Sequence, residues 1–329
     1  MKKYNLFLLI LIISLSCSDS NKIEMHNGFE LGTFYRIQRQ SLNYNHERIQ
    51  NGIDSLFRVI NLSMSTYIPS SKISRINNGD SSIIVDAHFV KVFKKSTEVF
   101  LLTNGYFDPT VGSWVNAYGF GPENELKNIS DSQRDSIQKL IGWNKISLTI
   151  DNKILKQDPN IYIDFNSLAK GYMIDVINQY LLKLGSKNHL IEIGGEIIAC
   201  GKNPKSKKNW KIAIENPLQK EDRVIIKVLP IINKAIATSG NYRKFRIDSL
   251  TGKKYVHLID PITGIPVKSS ILSVSVKAND CMTADAFATS LMVMNLKMGI
   301  KIVEENSSIE AYWIVSEGDQ LKQIFSKNW

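Results

Sequence analysis

Residues 234–291 read KAIATSGNYRKFRIDSLTGKKYVHLIDPITGIPVKSSILSVSVKANDCMTADAFATSL, and the parsing of this stretch decides the fold. A strand runs into the turn residues Thr238, Ser239 and Gly240. A hairpin closing at Leu250-Thr251-Gly252 follows, and its returning strand carries His257 and ends at Asp260, before Pro261. A short apolar strand then leads into a helix beginning near Thr283. Hairpin-connected strands intermixed with helices predict a single α+β domain with a mixed, largely antiparallel sheet. The polar residues stand in turns and at a helix start, where chemistry is usually found. Asp285 and Thr289 are four apart and share a helical face. Such oxygen ligands could hold Mg²⁺, which takes one or two carboxylates plus water and substrate phosphate. A structural reading competes evenly: Asp285 complements the helix dipole, and Thr289 bonds back to the backbone. His257 and Asp260, three apart on a strand, point to opposite faces and make no ready dyad. A lone strand histidine is more often packed than catalytic.

Working outward, 329 residues with 43% hydrophobic and 22% charged content describe a folded globular protein with a substantial core. The formal charge of +10 fits nucleic acid, an anionic membrane surface or a phosphorylated substrate. Nucleic acid is the weakest of these, because no nucleic-acid module is present. The run Lys202, Lys205, Lys207, Lys208 and Lys211 reads as a solvated hairpin loop. The N-terminus, MKKYNLFLLILIISLSC, has two lysines, an apolar run from Leu6 to Ile13 and a Cys after small residues. The run is far short of the ~20 residues of a spanning helix, so residues 1–16 are expected to be a secretory leader. Cys17 fits a lipobox, with residues 17–29 as a polar tether and 30–329 as the folded domain. Cys200 and Cys281 have no CxxC or zinc spacing and read as buried free thiols.

Before the opening stretch, ELGTFYRIQ reads as a strand, and Ile49, Ile53, Leu56, Phe57 and Ile60 mark a helix from about His46 to Asn61. LSMSTYIPSSKISRIN reads as a polar loop carrying Tyr67. A second helix from about His88 to Thr103 stops at Asn104-Gly105. YFDPTVGSWVNAYGFGP is expected to be an aromatic, glycine-rich loop suited to a ligand wall. After a short helix and a hairpin, NIYIDFNSLAKGYMIDVINQYLLKLG reads as a strand turning into a helix. Asp164, Asn166, Ser167 and Lys170 sit at the turn. Capping explains Asn166 or Ser167, but Lys170 is a cation in a first helical turn, opposing the dipole, and calls for an anion such as phosphate. HLIEIGGEIIACG reads as a strand interrupted by a bulge or close approach at Gly194-Gly195. The tail AYWIVSEGDQLKQIF reads as an edge hairpin.

Together these segments resemble the ApbE family, the FAD:protein FMN transferases. LGTFYRI, MSTY, SKISRIN, GYFDPTVGSWVNAYGFGP, IDFNSLAKGYMID, IEIGGEIIACG, IATSGNYRKF, HLIDPITGIPV and TADAFATSLMV occur in family order across nearly the whole chain beyond the leader. The resemblance implies a domain related to the T-fold. It implies Mg²⁺ held by Asp285, Thr289 and the Ser167 position, and His257 as the base acting on the acceptor hydroxyl. FAD, as substrate, would be contacted by Leu31, Tyr67, the turn Asp108, Pro109 and Thr110, Asp164 and Lys170. Thr238, Ser239 and Gly240 would shape its pocket. The implied acceptors are flavoproteins such as extracytoplasmic subunits of membrane redox complexes, reached by a lipid-anchored, extracytoplasmic enzyme. The chain departs from the family pattern at Leu31, Ser113-Trp114, Ala117-Tyr118, Asn166-Ser167 and Glu196. Two other functions compete: an FAD pyrophosphatase giving FMN and AMP, and a non-catalytic lipid-anchored flavin-binding protein.

Overall fold

The computed structural model describes residues 22–123, 125–126, 128–218, 224–241, 245–247, 254–318 and 320–329. The leader, Cys17 and the Leu250-Thr251-Gly252 turn lie outside these residues. In chain order, strands β1 (Ile23–Glu30) and β2 (Thr33–Gln40) precede helices α1 (His46–Met64), α2 (Lys72–Asn77), α3 (Ala87–Leu102), α4 (Gly112–Ala117) and α5 (Asp131–Lys139). The small hairpin β3 (Ile146–Leu148) and β4 (Ile154–Lys156) leads to α6 (Ala169–Lys183), β5 (His189–Ile193) and β6 (Glu196–Cys200). A ribbon of β7 (Trp210–Glu215) and β8 (Ile225–Ile231) is followed by β9 (Lys234–Gly240). Two short ribbons come next, β10 (Phe245–Ile247) with β11 (Lys254–Val256) and β12 (Ile259–Asp260) with β13 (Ile265–Pro266). The chain closes with β14 (Ile271–Ala278), α7 (Cys281–Val293), α8 (Leu296–Glu305), β15 (Ile309–Glu317) and β16 (Gln320–Phe325).

Eight strands make one sheet in the order β1-β2-β5-β6-β9-β14-β15-β16, and every neighbouring pair is antiparallel. The two-residue period of a strand sends alternate side chains to opposite faces. Ala235 and Ala237 of β9, and Ala311 and Trp313 of β15, join the main core under the helices. Ile236, Tyr312 and Ile314 point the other way, toward the β7–β8 ribbon and its Trp210, Ile212 and Ile214. Helices α6 and α7 lie on the first face, with α1 packed against α6 and α3 against α7. Rich in apolar and small residues, α7 is buried almost throughout, as a core helix is.

The structure corrects several expectations. Residues 23–29 are not a tether but most of edge strand β1. Their polar sequence hid it, because β1 buries a charged network instead of an apolar face. Fully buried Arg39 donates to Glu24 at 2.6 Å and to His26 Nε2 at 3.0 Å, and His26 Nδ1 lies 2.9 Å from Gln50. The segments read as loops around Tyr67 and Asp108 contain α2, a 3₁₀ turn at Pro109–Val111 and α4. The stretch IYIDF alternates as a strand does, with Ile161, Ile163 and Phe165 fully buried, yet among the described residues it pairs with no strand. Asn77 takes the place of a partner strand, its amide donating to Ile163 O and accepting from Ile163 N, both at 2.9 Å. Gly194-Gly195 is the turn of the β5–β6 hairpin and not a bulge, since Ile193 pairs with Glu196 and both glycines have positive φ (61° and 103°). The expected close approach is there, because a Cβ at Gly194 would come within 2.9 Å of Thr33 Cγ2. Helix α8 had no counterpart in the sequence reading.

Candidate functional site

The β1–β2 turn, the β5–β6 turn and the last residues of β9 lie at one end of the sheet, and a cavity of about 770 Å³ opens there. That volume is in the range of small-molecule and cofactor sites. Its floor is where α6 meets α7. Gly171 makes the approach possible, since a Cβ there would strike the Cys281 carbonyl and come within 2.9 Å of Asp285 Cβ. Gly171 N then donates to Asp285 Oδ2 at 3.0 Å. Lys170 Nζ lies 3.7 Å from Asp285 Oδ2 and 3.6 Å from Glu196 Oε1. Burial opposes the Lys170 charge, but Asp285 and Glu196 outweigh it and hold the ammonium above the usual lysine range. Burial likewise pushes the Asp285 carboxyl up, against the pull of Lys170. The Thr289 hydroxyl stands 3.4 Å from Ser239 Oγ and 3.5 Å from the Ser167 carbonyl.

Two carboxylates fix α7. Asp280 caps it by accepting from Thr283 N at 2.8 Å. Asp175, on α6, accepts from Cys281 N and Met282 N, each at 2.8 Å, so the helix bearing Lys170 grips the start of the helix bearing Asp285. Burial lifts the Asp175 carboxyl to about 7.

The walls come from the N-terminal half and from the His257 segment. Leu31 turns the β1–β2 hairpin with φ 53° and borders the cavity with Gly32 and Thr33. Tyr67 is 59% exposed at the rim, and burial of its hydroxyl end, with Asp164 nearby, raises its pKa. Asp164 accepts from Asn166 N at 2.7 Å, and burial raises its carboxyl above the usual range. Asp108 borders the cavity but spends its oxygens on Thr110 N (2.8 Å), Thr110 Oγ1 (2.6 Å) and Trp143 N (3.0 Å). Pro109 and Thr110 do not line the cavity; they buttress it, with the Pro109 carbonyl accepting from Asp164 N at 2.8 Å. Thr238 lines the cavity with its hydroxyl 2.8 Å from Ser275 Oγ, beside Ser239 and Gly240. His257 borders the cavity between β11 and β12, its ring edge-on to Phe120 with centroids 6.3 Å apart. Asp260 is not its dyad partner: it accepts from Ile262 N and from the Thr263 hydroxyl, both at 2.9 Å, and so shapes the Pro261 turn.

The model of the ApbE family matches residues 31–313. The chain belongs to the ApbE family. Among curated relatives is the FAD:protein FMN transferase of Vibrio cholerae, 35% identical over 335 residues, covering 100% of this chain and 98% of the relative. That of Haemophilus influenzae is 33% identical over 310 residues, covering 91% and 88%. Among solved structures, flavin transferase ApbE from Vibrio cholerae matches with a TM-score of 0.83 at 34% identity, covering 93% of this chain and 97% of that one. The apo flavinyl transferase ApbE of Pseudomonas stutzeri matches with a TM-score of 0.83 at 27% identity. This ApbE chain is therefore a transferase enzyme, and its single mixed domain is the fold of those relatives.

The cavity of this ApbE chain gathers Leu31, Tyr67, Asp108, Asp164, Ser167, Lys170, Thr238, Ser239, Gly240, His257, Asp285 and Thr289 from segments far apart in sequence. Sequence reasoning missed Glu196 and Asp175 as members of the machinery. The signal for Glu196 was Lys170 itself: the anion it calls for is supplied in part by the fold. Among the described residues no group of three or more His, Cys, Asp or Glu side chains gathers around a common point. The donors at Asp285, Thr289 and Ser167 are all hard oxygens with a single carboxylate, a set that fits Mg²⁺ and not zinc. Cys200 and Cys281 are free thiols, the latter fully buried.

Proposed function

We propose that this chain transfers the FMN moiety of FAD to a Ser or Thr hydroxyl of an acceptor protein, releases AMP and depends on Mg²⁺. The observation that carries this reading is the meeting, in one cavity, of Lys170, the oxygen donors Asp285 and Thr289, and His257. Asp285, Thr289 and Ser167 would hold the ion, which when bound would neutralise charge on the FAD pyrophosphate. Lys170, already charged in its carboxylate nest, supplies a second positive centre for the same phosphates. The acceptor oxygen attacks the phosphorus on the FMN side and forms the new P–O ester bond. The bond to AMP breaks with its electron pair leaving on AMP, and the hydroxyl proton passes to His257. Positioning and charge stabilisation supply most of the rate, with the base adding roughly 10²–10⁴-fold. Leu31, Tyr67, Asp108, Asp164 and the Thr238–Gly240 end of β9, a paired strand end where the sequence suggested a turn, form the FAD pocket in this scheme.

The same proposal includes cleavage of residues 1–16, lipidation of Cys17 and an extracytoplasmic location, with redox-complex subunits as acceptors. A mature N-terminus whose mass lacks acyl chains would remove that part. The main test incubates the protein with FAD, Mg²⁺ and a purified acceptor, and reads flavin fluorescence on the acceptor in a gel. Labelling by wild type and none by Asp285→Ala is the expected result. Free FMN and AMP without labelling would establish hydrolysis instead, and tight FAD binding without turnover would establish storage. Transfer by Asp285→Ala at the wild-type rate would overturn the metal assignment.

A further inference from the structure

The cavity occupies one end of the eight-stranded sheet, and the other end is built from the opposite termini of the same strands. There Ser41 N donates to Lys22 O at 3.0 Å and Gln40 N to Asn188 O at 2.9 Å. Lys202 N donates to Asn188 Oδ1 and Gly201 N to Asn233 Oδ1, both at 2.8 Å. Segments distant in sequence are thus joined into one surface. Lys22, Lys187, Lys202, Lys205, Lys207 and Lys208 are all exposed on it. The 203–208 loop is closed on itself: Asn203 N donates to Lys208 O and Lys207 N to Asn203 O, both at 2.9 Å, while Asn203 Oδ1 accepts from Lys205 N and Ser206 N at 3.0 Å. Its backbone is fixed by its own hydrogen bonds and its lysines face solvent. The ion pairs among the described residues do not include Lys187, Lys202, Lys205 or Lys208. Two carboxylates of this end are turned inward: Glu24 pairs with Arg39 at 2.6 Å, and Asp280 caps α7.

The N-terminal segment joins the fold at this same end, because β1 starts at Ile23 beside Lys22. Cys17, the residue proposed above to carry the lipid, therefore precedes the lysine surface by only a short length of chain.

We propose that this lysine-bearing end is an electrostatic docking face for an anionic phospholipid surface, and that it sets the cavity on the side away from the membrane. Lysines act on such a surface when held within about a Debye length, roughly 8–10 Å. The eight residues of β1, at ~3.3 Å each, put the cavity end about 26 Å further out, beyond reach of that field. An acceptor segment can then enter the cavity from bulk solution while the opposite end holds the lipid. Nucleic acid is the less favoured polyanion, because the chain carries no nucleic-acid module.

The test uses the full chain and a charge-reversed form carrying Lys202→Glu, Lys205→Glu and Lys208→Glu. Each is floated with phosphatidylcholine vesicles, and with vesicles that also contain phosphatidylglycerol. Binding through the N-terminal lipid anchor alone is the same for both proteins on neutral vesicles. The wild type is expected to prefer the anionic vesicles by an order of magnitude or more at low salt, and to lose that preference at high salt. The variant is expected to show no preference, with an unchanged thermal midpoint demonstrating that it folds. Equal preference in the two proteins overturns the proposal. So does a wild type indifferent to lipid charge that a duplex oligonucleotide instead retains, and failure of flavin transfer would leave this outcome untouched.

Discussion

Asp175 shows at single-residue scale how a scaffold group governs a site it does not touch. It accepts two N–H groups at the start of α7, and burial raises its carboxyl from the ordinary 3.8 to about 7. A raised acid binds its proton more tightly in the folded than in the unfolded chain. Its contribution is therefore fully present below about pH 4 and lost as pH rises through about 7. Urea unfolding of wild type and Asp175→Asn across this range should show a stability difference that changes steadily with pH. A difference that stays flat would show that the group does not titrate there. Spacing along the chain gave no hint of Asp175, because its partners are more than a hundred residues away. Asp285 and Thr289, by contrast, share a helical face that their spacing made legible, and the fold places both on the cavity lining.

Close approach between elements rests on small residues and on side chains that stand in for backbone. Gly171→Ala would press a methyl against the Cys281 carbonyl, with no flexible side chain to yield. Overpacking of this kind costs about 1–3 kcal/mol and should also lengthen the Gly171–Asp285 hydrogen bond. Denaturant titration should show the loss, and flavin transfer should fall further than the unfolded fraction explains. Asn77→Ala removes the amide that serves both polar groups of Ile163. Two buried groups left unsatisfied cost roughly 1–3 kcal/mol each, so the unfolding midpoint should drop sharply. Periodicity had marked Ile161, Ile163 and Phe165 as a strand. It could not show that their backbone partner is a side chain, since alternation reports burial and not pairing.

For the whole molecule, the cavity draws on both halves of the chain, so ligand and fold should stabilise one another. FAD with Mg²⁺ at about a hundredfold above the dissociation constant should add roughly 2.7 kcal/mol, read as a concentration-dependent rise in the thermal midpoint. A midpoint indifferent to FAD would argue that the cavity is not its site. The two ends of the sheet also differ in character, one carrying the cavity and its bordering turns, the other exposed lysines and the start of β1.

The amino-acid sequence alone determined the α+β class, the helix bearing Asp285 and Thr289, and a family whose motifs run the length of the chain. These are local properties, set by periodicity, turn chemistry and caps, and they survive without knowledge of neighbours. Only the tertiary structure decided that Lys170 rests between Asp285 and Glu196, that Asp260 builds a turn instead of assisting His257, and that β1 is a strand. It also turned a loop of lysines, read as merely solvated, into part of a continuous charged face. Ion pairs, buried polar networks and shared surfaces join residues distant along the chain, so their partners exist only once the sheet has fixed which strand ends lie together.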